Sequence, residues 1–430
     1  MKNDIQGYSM FVTLIAFIGW TISAMDTSIF FFVAPHLMEE FDFSLTEFGI
    51  IVAAGFIVAI VFNIVVGPLM DYFGRKVVFQ WILFLVSIGT FLTGLSWNFE
   101  SLTIFRILAT GSAFAEYAVG ATILIESVSA KHRGWIVGIM AAGWPAGTAI
   151  STLLSIYVVP EWGWRSAFYL ASIPAFLVIV VRLYIKEPVR FKELVKFRQS
   201  IKSYTAETKE IVSQNRFKIN KEEVLKFTYL QLMKGELLKN TLLIWLYMNL
   251  VVIAYGLLIW FAPYWMNYAF ELNWNEAIWT VGAGSLVSML GFVCCGWLSG
   301  IIGIRYANLL FIVISIPLTI WMTFFAQTFN AFLPAYLLWN FFGAGIWGTI
   351  PRIFTEAFPT RARGTGSSIG SASCWLGWAV ISYLAPHIIE ANDYYTAISF
   401  SGIILLPLAL IPLWIIREIP SSSELEDYIS

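Results

Sequence analysis

Twelve apolar runs, each about as long as a bilayer is thick, constrain the fold of this chain more than any other feature. A hydrocarbon core of about 30 Å requires roughly 20 apolar residues in a helix. Barrel strands would be about 10 residues long with strict alternation, and the sequence lacks that pattern. The runs therefore predict an all-α protein that crosses the lipid bilayer many times.

The composition supports this prediction and excludes several classes of protein. The chain is 59% hydrophobic and only 12% charged, whereas soluble domains are about half apolar and about a quarter charged. A net charge of −1 without a basic face argues against a nucleic-acid partner. The sequence also lacks a Walker loop, a nucleophile motif and zinc-ligand spacing, so we expect no enzyme, no metal and no cofactor.

A polar stretch in the middle of the chain divides the predicted spans into two groups of six. We predict a first six-helix bundle over 1–188, a cytoplasmic linker over 189–238, a second bundle over 239–418 and a cytoplasmic tail over 419–430. The predicted spans are 10–36, 47–70, 75–96, 101–127, 134–159, 165–186, 240–268, 275–301, 305–327, 331–357, 364–389 and 395–417.

The distribution of basic residues predicts the orientation. Lys and Arg are enriched in cytoplasmic loops. If both termini lie in the cytoplasm, the inner loops and the linker carry nearly all the basic residues, and the outer loops carry only Arg165. We therefore predict a multi-pass protein of the cell membrane with both termini cytoplasmic.

Loop sequences repeat between the two halves. The spacing from Glu126 to Arg133-Gly134 equals the spacing from Glu356 to Arg363-Gly364. The run Gly67-Pro-Leu-Met-Asp71-Tyr-Phe-Gly74-Arg75-Lys76 is matched by Gly296-Trp-Leu-Ser-Gly-Ile-Ile-Gly303-Ile-Arg305. Parallel six-helix repeats place a substrate cavity near the bilayer midplane between the halves. The repeats therefore predict a transporter.

These loops resemble the signatures of the major facilitator superfamily. Glu187-Pro188-x-Arg190-Phe191 and Phe358-Pro359-Thr360-x-x-Arg363-Gly364 are similar to its sugar-porter-like members. The segments around Asp26, Arg106 and Glu116 look most like the sialate and aromatic-acid proton symporters. The resemblance implies two pseudo-symmetric bundles and proton-coupled transport of an organic acid or sugar-like metabolite, and we expect a monomer.

The repeated loops contain the candidate gate. Asp71 is expected to meet the positive end of the eleventh span near Gly364, while Gly67 permits close helix approach and Gly74 a tight turn. The alternative is that these charges are solvated anchors, worth under about 1 kcal/mol per pair. We predict gating roles for Gly67, Asp71, Gly74, Arg75, Glu126, Arg133, Glu187, Arg190, Glu356 and Arg363.

Three charged residues, Asp26, Arg106 and Glu116, lie well inside spans of the first half. Each costs at least about 2.5 kcal/mol at mid-helix, so a function is the default interpretation. At about 1.5 Å per residue, Asp26 and Arg106 lie at similar depths and Glu116 lies about 15 Å from Arg106. We predict an ion pair between Asp26 and Arg106 that an anionic substrate disturbs; the alternative is a static structural bridge.

Glu116 is the stronger candidate for proton coupling, with Asp26 as the second. Apolar surroundings favour the neutral form of a buried carboxyl. The alternative is a carboxyl that stays protonated and only donates a hydrogen bond.

Aromatic and amide side chains in the spans suit sugars or ring-bearing acids, although any single ring is more often packing. Predicted substrate-binding residues are Arg106, Tyr117, Asn249, Tyr255, Trp260 and Asn340. Two other interpretations stay open: an uncoupled facilitator or exporter of small solutes, and a transport-dead membrane sensor, which the short predicted tail disfavours.

Overall fold

The computed structural model describes four long ranges and four single residues of the chain. These are residues 2–184, 232–359, 362–391 and 394–416, with 192, 195, 229 and 418. Most of the predicted linker over 189–238 lies outside the described residues, as do the candidate gating residues Glu187 and Arg190. The bounds of the four predicted segments stay predictions.

Helices account for nearly all the described residues, which contain no strand. The first half has α1 (Lys2–Phe32), α2 (Ala34–Phe41), α3 (Leu45–Phe73), α4 (Arg75–Gly94), α5 (Phe99–Ser127), α6 (Arg133–Ala141), α7 (Gly143–Leu153) and α8 (Val159–Arg182). The second half has α9 (Gly235–Ile259), α10 (Ala262–Phe270), α11 (Trp274–Ile302), α12 (Ile304–Ile320), α13 (Phe329–Phe342), α14 (Ile350–Glu356), α15 (Arg363–Glu390), α16 (Tyr394–Ser399) and α17 (Leu406–Ile415). Within the described ranges, nine helical stretches are long and apolar enough to span a bilayer.

Several predicted spans are broken near their ends or middle. The first span divides into α1 and α2, the seventh into α9 and α10, and the tenth into α13 and α14. Pro35, Pro263 and Pro351 each lie in the first two positions of the helix that follows the break. Proline has no N–H and fixes φ, so it fits the first turn of a helix but not its interior. The all-helical membrane fold is confirmed.

The two halves meet along two pairs of helices, α3 with α15 and the α6–α7 segment with α11. A Cβ atom placed on Gly67 would lie 2.9 Å from the Cα atom of Thr365. At the other end of the same helix pair, a Cβ atom on Gly49 would lie 2.7 Å from the carbonyl oxygen of Ser382. The close approach predicted at Gly67 is present, and it brings the backbones of the two halves together.

The ends of the molecule differ in charge. We call the end with Asp71, Arg75, Arg133 and Arg363 the basic end. The opposite end, with Glu40, Glu47, Glu276 and Glu390, is the acidic end.

At the acidic end, α3 and α11 begin with matching capping boxes: Ser44 with Glu47, and Asn273 with Glu276. In each box the first side chain satisfies a free N–H group of the first turn, which fixes the helix start.

Candidate transport site and gate

Asp26 of α1 and Arg106 of α5 form a buried ion pair between two helices of the first half. Arg106 Nη1 lies 2.8 Å from Asp26 Oδ1, and both side chains are 1% exposed. Arg106 Nη2 also donates to Thr110 Oγ1 at 3.3 Å, and its guanidinium carbon lies 4.4 Å from the ring centre of Phe30. The pairing predicted from helix depths is present, whereas its response to substrate stays a prediction.

Replacing Arg106 with Gln is expected to lower the free energy of unfolding by about 3–5 kcal/mol, because Asp26 would be left buried and charged. The matched control is Arg165→Gln, since Arg165 and Glu40 are 2.7 Å apart but 36% and 40% exposed. The Arg165 hydrogen bond holds the pKa of Glu40 below its ordinary value, so this exposed pair is ionised at neutral pH. An exposed pair contributes only about 0–1 kcal/mol. Equal losses for both variants in thermal unfolding of detergent-purified protein would contradict the prediction.

A cavity of about 80 Å³ lies between the two halves. Its wall includes three of the predicted substrate-binding residues, Tyr117, Trp260 and Asn340. Helices α1, α5, α7, α9, α11, α13 and α15 all contribute to it. The cavity is therefore placed where two repeated halves of a transporter would hold a substrate.

The other three predicted substrate-binding residues lie outside the cavity wall. Asp26 and Phe30 hold Arg106 between α1 and α5. Asn249 donates to the carbonyl of Trp245 on its own helix at 2.8 Å, and Tyr255 packs edge-on against Trp339. In this conformation these three side chains are not placed to contact a molecule in the cavity. Residue counting gives the height of a side chain in the membrane but not the helix face on which it lies.

Aromatic rings, several of them stacked on one another, form about half of the cavity wall. The planes of Trp144 and Trp260 are 8° apart with centroids at 5.9 Å, and those of Trp260 and Trp378 are 13° apart at 4.4 Å. This stack passes from the first half into the second. Trp20 stacks on Tyr117 at 4.2 Å. Flat rings at these spacings leave surfaces suited to a planar ligand.

The sequence analysis missed Trp20, Trp144, Trp375 and Trp378. A signal for the last two was present, because α15 is rich in Gly and Ser. A membrane helix of small residues packs closely against other helices. Large rings on such a helix therefore face the protein interior more often than lipid.

Asp71 binds the N-terminus of α15 at the basic end. Its carboxylate accepts from the N–H groups of Gly364 and Thr365 at 3.2 and 2.9 Å, and from Thr365 Oγ1 at 2.8 Å. These are free first-turn donors at the positive end of the helix dipole. The predicted contact is present. Gly74 has a φ of 101° and Gly303 in the repeated loop a φ of 90°, so the predicted tight turn occurs in both halves.

Four charged residues, Glu126, Arg133, Glu356 and Arg363, form what we call the crossed gate. Arg363 Nη1 lies 3.5 Å from Glu126 Oε1, and Arg133 Nη1 lies 3.5 Å from Glu356 Oε1. Each carboxylate thus meets an arginine of the other half. Arg75 adds a 3.2 Å contact to Glu126, and Arg352 a 2.8 Å contact to Glu356. The repeated spacing predicted the members of this network. It did not predict that each ion pair joins a glutamate of one half to an arginine of the other.

Glu116 is fully buried on α5, one residue before the cavity residue Tyr117. Its Oε1 lies 3.5 Å from the position that a Cβ atom on Gly120 would occupy. The methyl group of Met140 and the ring of Phe79 lie 3.3 and 3.6 Å from the same position. The carboxyl thus shares the space beside Gly120 with two apolar side chains, and its role in proton coupling stays a prediction.

The family model described as Major Facilitator Superfamily matches residues 16–379. The chain belongs to the major facilitator superfamily. The resemblance carried by the repeated loops is confirmed, and with it the fold of twelve transmembrane helices in two bundles.

Curated relatives of this superfamily member are transporters rather than enzymes. The niacin transporter NiaP of Acinetobacter baylyi is 25% identical over 406 residues, covering 92% of this chain and 90% of the relative. The probable 4-methylmuconolactone transporter of Cupriavidus pinatubonensis is 26% identical over 409 residues, covering 90% and 88%. A solved structure of the proton:xylose symporter XylE has a TM-score of 0.75 at 16% identity and covers 98% of both chains, a likeness of fold.

Near the basic end of this superfamily member, α6 packs against α11 at a glycine contact. A Cβ atom on Gly134 would lie 2.6 Å from the carbonyl oxygen of Gly296, whereas one on Gly300 would lie 3.7 Å from Gly134 Cα. Overpacking costs about 1–3 kcal/mol. We therefore expect Gly134→Ala to open the basic end and slow transport about tenfold or more, and Gly300→Ala to change little.

Ser367 is buried and its hydroxyl is hydrogen-bonded to that of Thr122 in the other half. The rate at which a single cysteine at this position is labelled therefore measures the opening. Water-soluble thiol reagents should modify this cysteine faster in Gly134→Ala. Equal labelling rates in the two glycine variants would contradict the prediction.

Proposed function

We propose that the protein is a secondary active transporter that carries a small ring-bearing metabolite together with protons by alternating access. The cavity between the halves, walled by stacked rings, is the observation that carries this proposal. We further propose that it acts as a monomer in the cell membrane, with the basic end and both termini in the cytoplasm. The bundles would occupy 1–188 and 239–418, joined by the linker 189–238 and followed by the tail 419–430.

Contacts between the halves at both ends of the cavity support alternating access. The crossed gate and Asp71 join them at the basic end. At the acidic end, Thr46 donates to Glu390 at 3.1 Å and Trp274 Nε1 donates to the carbonyl of Phe32 at 2.9 Å. Hydrogen bonds and ion pairs between rigid bundles can break at one end while they form at the other.

Relatives and buried acids support the substrate class and the coupling. Proteins similar to this chain are named as transporters of niacin, 4-hydroxybenzoate and sialic acid, all ring compounds that bear a carboxyl group. XylE, which shares the fold, is named a proton:xylose symporter. Asp26 and Glu116 are fully buried in membrane helices of the first half, where an acidic side chain is more often functional than structural, and Glu116 is the proposed proton carrier, with Asp26 as the second candidate.

An uncoupled facilitator is the second candidate. The observation that favours it is the described part of the cavity wall, which holds no carboxylate. A symporter is nevertheless the better supported function, because two acids within a membrane bundle are costly unless they serve a purpose.

Uptake into proteoliposomes tests the proposal. Radiolabelled nicotinate, 4-hydroxybenzoate and xylose are supplied with and without an inward-acid pH gradient. We expect at least one ring acid to accumulate above its outside concentration, and a protonophore to remove the excess. Uptake that stops at equal concentrations on both sides would indicate the facilitator, and no uptake of any compound would contradict the substrate class.

A further inference from the structure

The described cavity wall is electrically neutral. Its residues in this part of the chain include no Asp, Glu, Lys, Arg or His. The nearest candidate cation from the sequence analysis, Arg106, lies outside the wall in its pair with Asp26. An ionised carboxylate moved into such a site would lose its hydration without gaining a cation. The cavity therefore disfavours a charged occupant.

Four hydroxyl groups in the wall donate their protons to backbone carbonyl groups of the protein. Each of these four is left with oxygen lone pairs, so it accepts rather than donates a hydrogen bond with any further partner. The donations are Thr27 to the carbonyl of Ser23, Thr148 to that of Trp144, Ser285 to that of Val281 and Ser288 to that of Ser285. One of the two amide N–H groups of Asn340 is likewise used, on the carbonyl of Tyr336 at 2.9 Å.

Among the residues of the described wall, two tryptophans carry a buried indole N–H group without a hydrogen-bond partner. The Nε1 atoms of Trp347 and Trp375 are buried and have no hydrogen-bond partner among the described residues. The Trp375 side chain is only 2% exposed, and its ring lies 4.3 Å from that of Phe114. An unsatisfied buried donor is costly, so a ligand that supplies an acceptor beside these rings gains affinity.

We propose that the cargo occupies this cavity as a planar ring without net charge, with a carbonyl oxygen that accepts a hydrogen bond from Trp375 or Trp347. An aromatic acid would then enter as its protonated carboxylic acid rather than as the carboxylate. This inference rests on the proposed function and specifies the form of its substrate.

Benzamide and benzoate, which share ring and carbonyl but differ in charge, test the inference on purified full-length protein. Tryptophan fluorescence and thermal shift at neutral pH report binding. We expect benzamide to bind at least about tenfold more tightly than benzoate. Lowering the pH towards about 4, the ordinary pKa of a carboxyl group, should strengthen benzoate binding and leave benzamide unchanged.

Removing single N–H groups tests the contact itself. Trp375→Phe and Trp347→Phe keep an aromatic ring but delete the donor, and at least one should weaken benzamide about two- to tenfold. Neither should affect toluene, which has no acceptor. Trp245→Phe is the matched control, because the Trp245 N–H is also buried without a partner in the described structure but lies outside the cavity wall.

Benzoate binding as tightly as benzamide at neutral pH would overturn the inference, and so would unchanged benzamide affinity in both cavity variants. Accumulation of a ring acid in proteoliposomes would leave the transport function standing in either case. Failure of both rings to bind, together with absent uptake, would overturn the inference and the proposed substrate class together.

Discussion

Replacing Glu116 with Gln is expected to abolish uphill accumulation while substrate binding and exchange survive. Glutamine imitates the protonated carboxyl permanently, so the cavity can still alternate between sides. A charged carboxylate is expensive to bury in a membrane helix, and Glu116 is fully buried. A proton coupled to a one-unit pH gradient can sustain about a tenfold concentration ratio, which the variant should lose entirely.

Paired assays separate coupling from transport in this variant. Uptake is measured with and without an inward-acid gradient, and exchange is measured by counterflow from preloaded vesicles. Glu100→Gln is the control, because Glu100 lies on the same helix but is exposed in its first turn. Persistent accumulation in Glu116→Gln would move the proposed role to Asp26, which Asp26→Asn then tests. Accumulation in both would contradict a proton carrier at either position.

Replacing Asp71 with Asn is expected to shift the resting population towards an open basic end. The variant removes the charge that binds the free N–H groups at the start of α15. Hydrogen bonds to charged groups contribute about 1.5–3 kcal/mol each. A loss of this size changes a two-state population by roughly 10- to 150-fold, so transport should slow strongly. Substrate affinity should change little, because Asp71 lies at the basic end and outside the cavity wall.

Glu418→Gln is the matched control for Asp71→Asn. Glu418 accepts from the N–H group of Ile304 at the start of α12, and so binds a helix N-terminus within one half. Spin labels at the exposed positions Ser129 and Ile302 report the separation of the halves at the basic end. An unchanged distance distribution in Asp71→Asn, or an equal change in both variants, would refute the gating role.

Local motifs explain why part of the site could be predicted from sequence. Asp71 and Gly74 belong to one short sequence motif. A carboxylate in such a motif is stabilised by the positive N-terminal end of a neighbouring helix. The contact to Gly364 and the turn at Gly74 were therefore predictable. The two-bundle fold was predictable for a similar reason, because span lengths and repeated loops are both local patterns.

Properties that depend on helix rotation were not predictable in the same way. The depth in the membrane, estimated from residue counts, predicted that Arg106 lies beside Asp26. It could not show that the pair lies outside the cavity wall. Similarly, equal spacing from Glu126 to Arg133 and from Glu356 to Arg363 did not reveal which half supplies each partner. Both questions are decided by packing between distant parts of the chain.

The burial of the crossed gate makes its strength nearly independent of dissolved salt. Its side chains are at most 3% exposed, whereas Glu40 and Arg165 at the acidic end are more than a third exposed. Counterions screen exposed charges within a Debye length of about 8 Å at physiological ionic strength, but they screen buried pairs much less. Raising the ionic strength at the acidic end should therefore weaken the Glu40–Arg165 pair, whereas raising it at the basic end should leave the ion pairs of the crossed gate almost unaltered. The ion pairs that join the two halves at the basic end are thus set within the protein and do not follow the salt content of the medium.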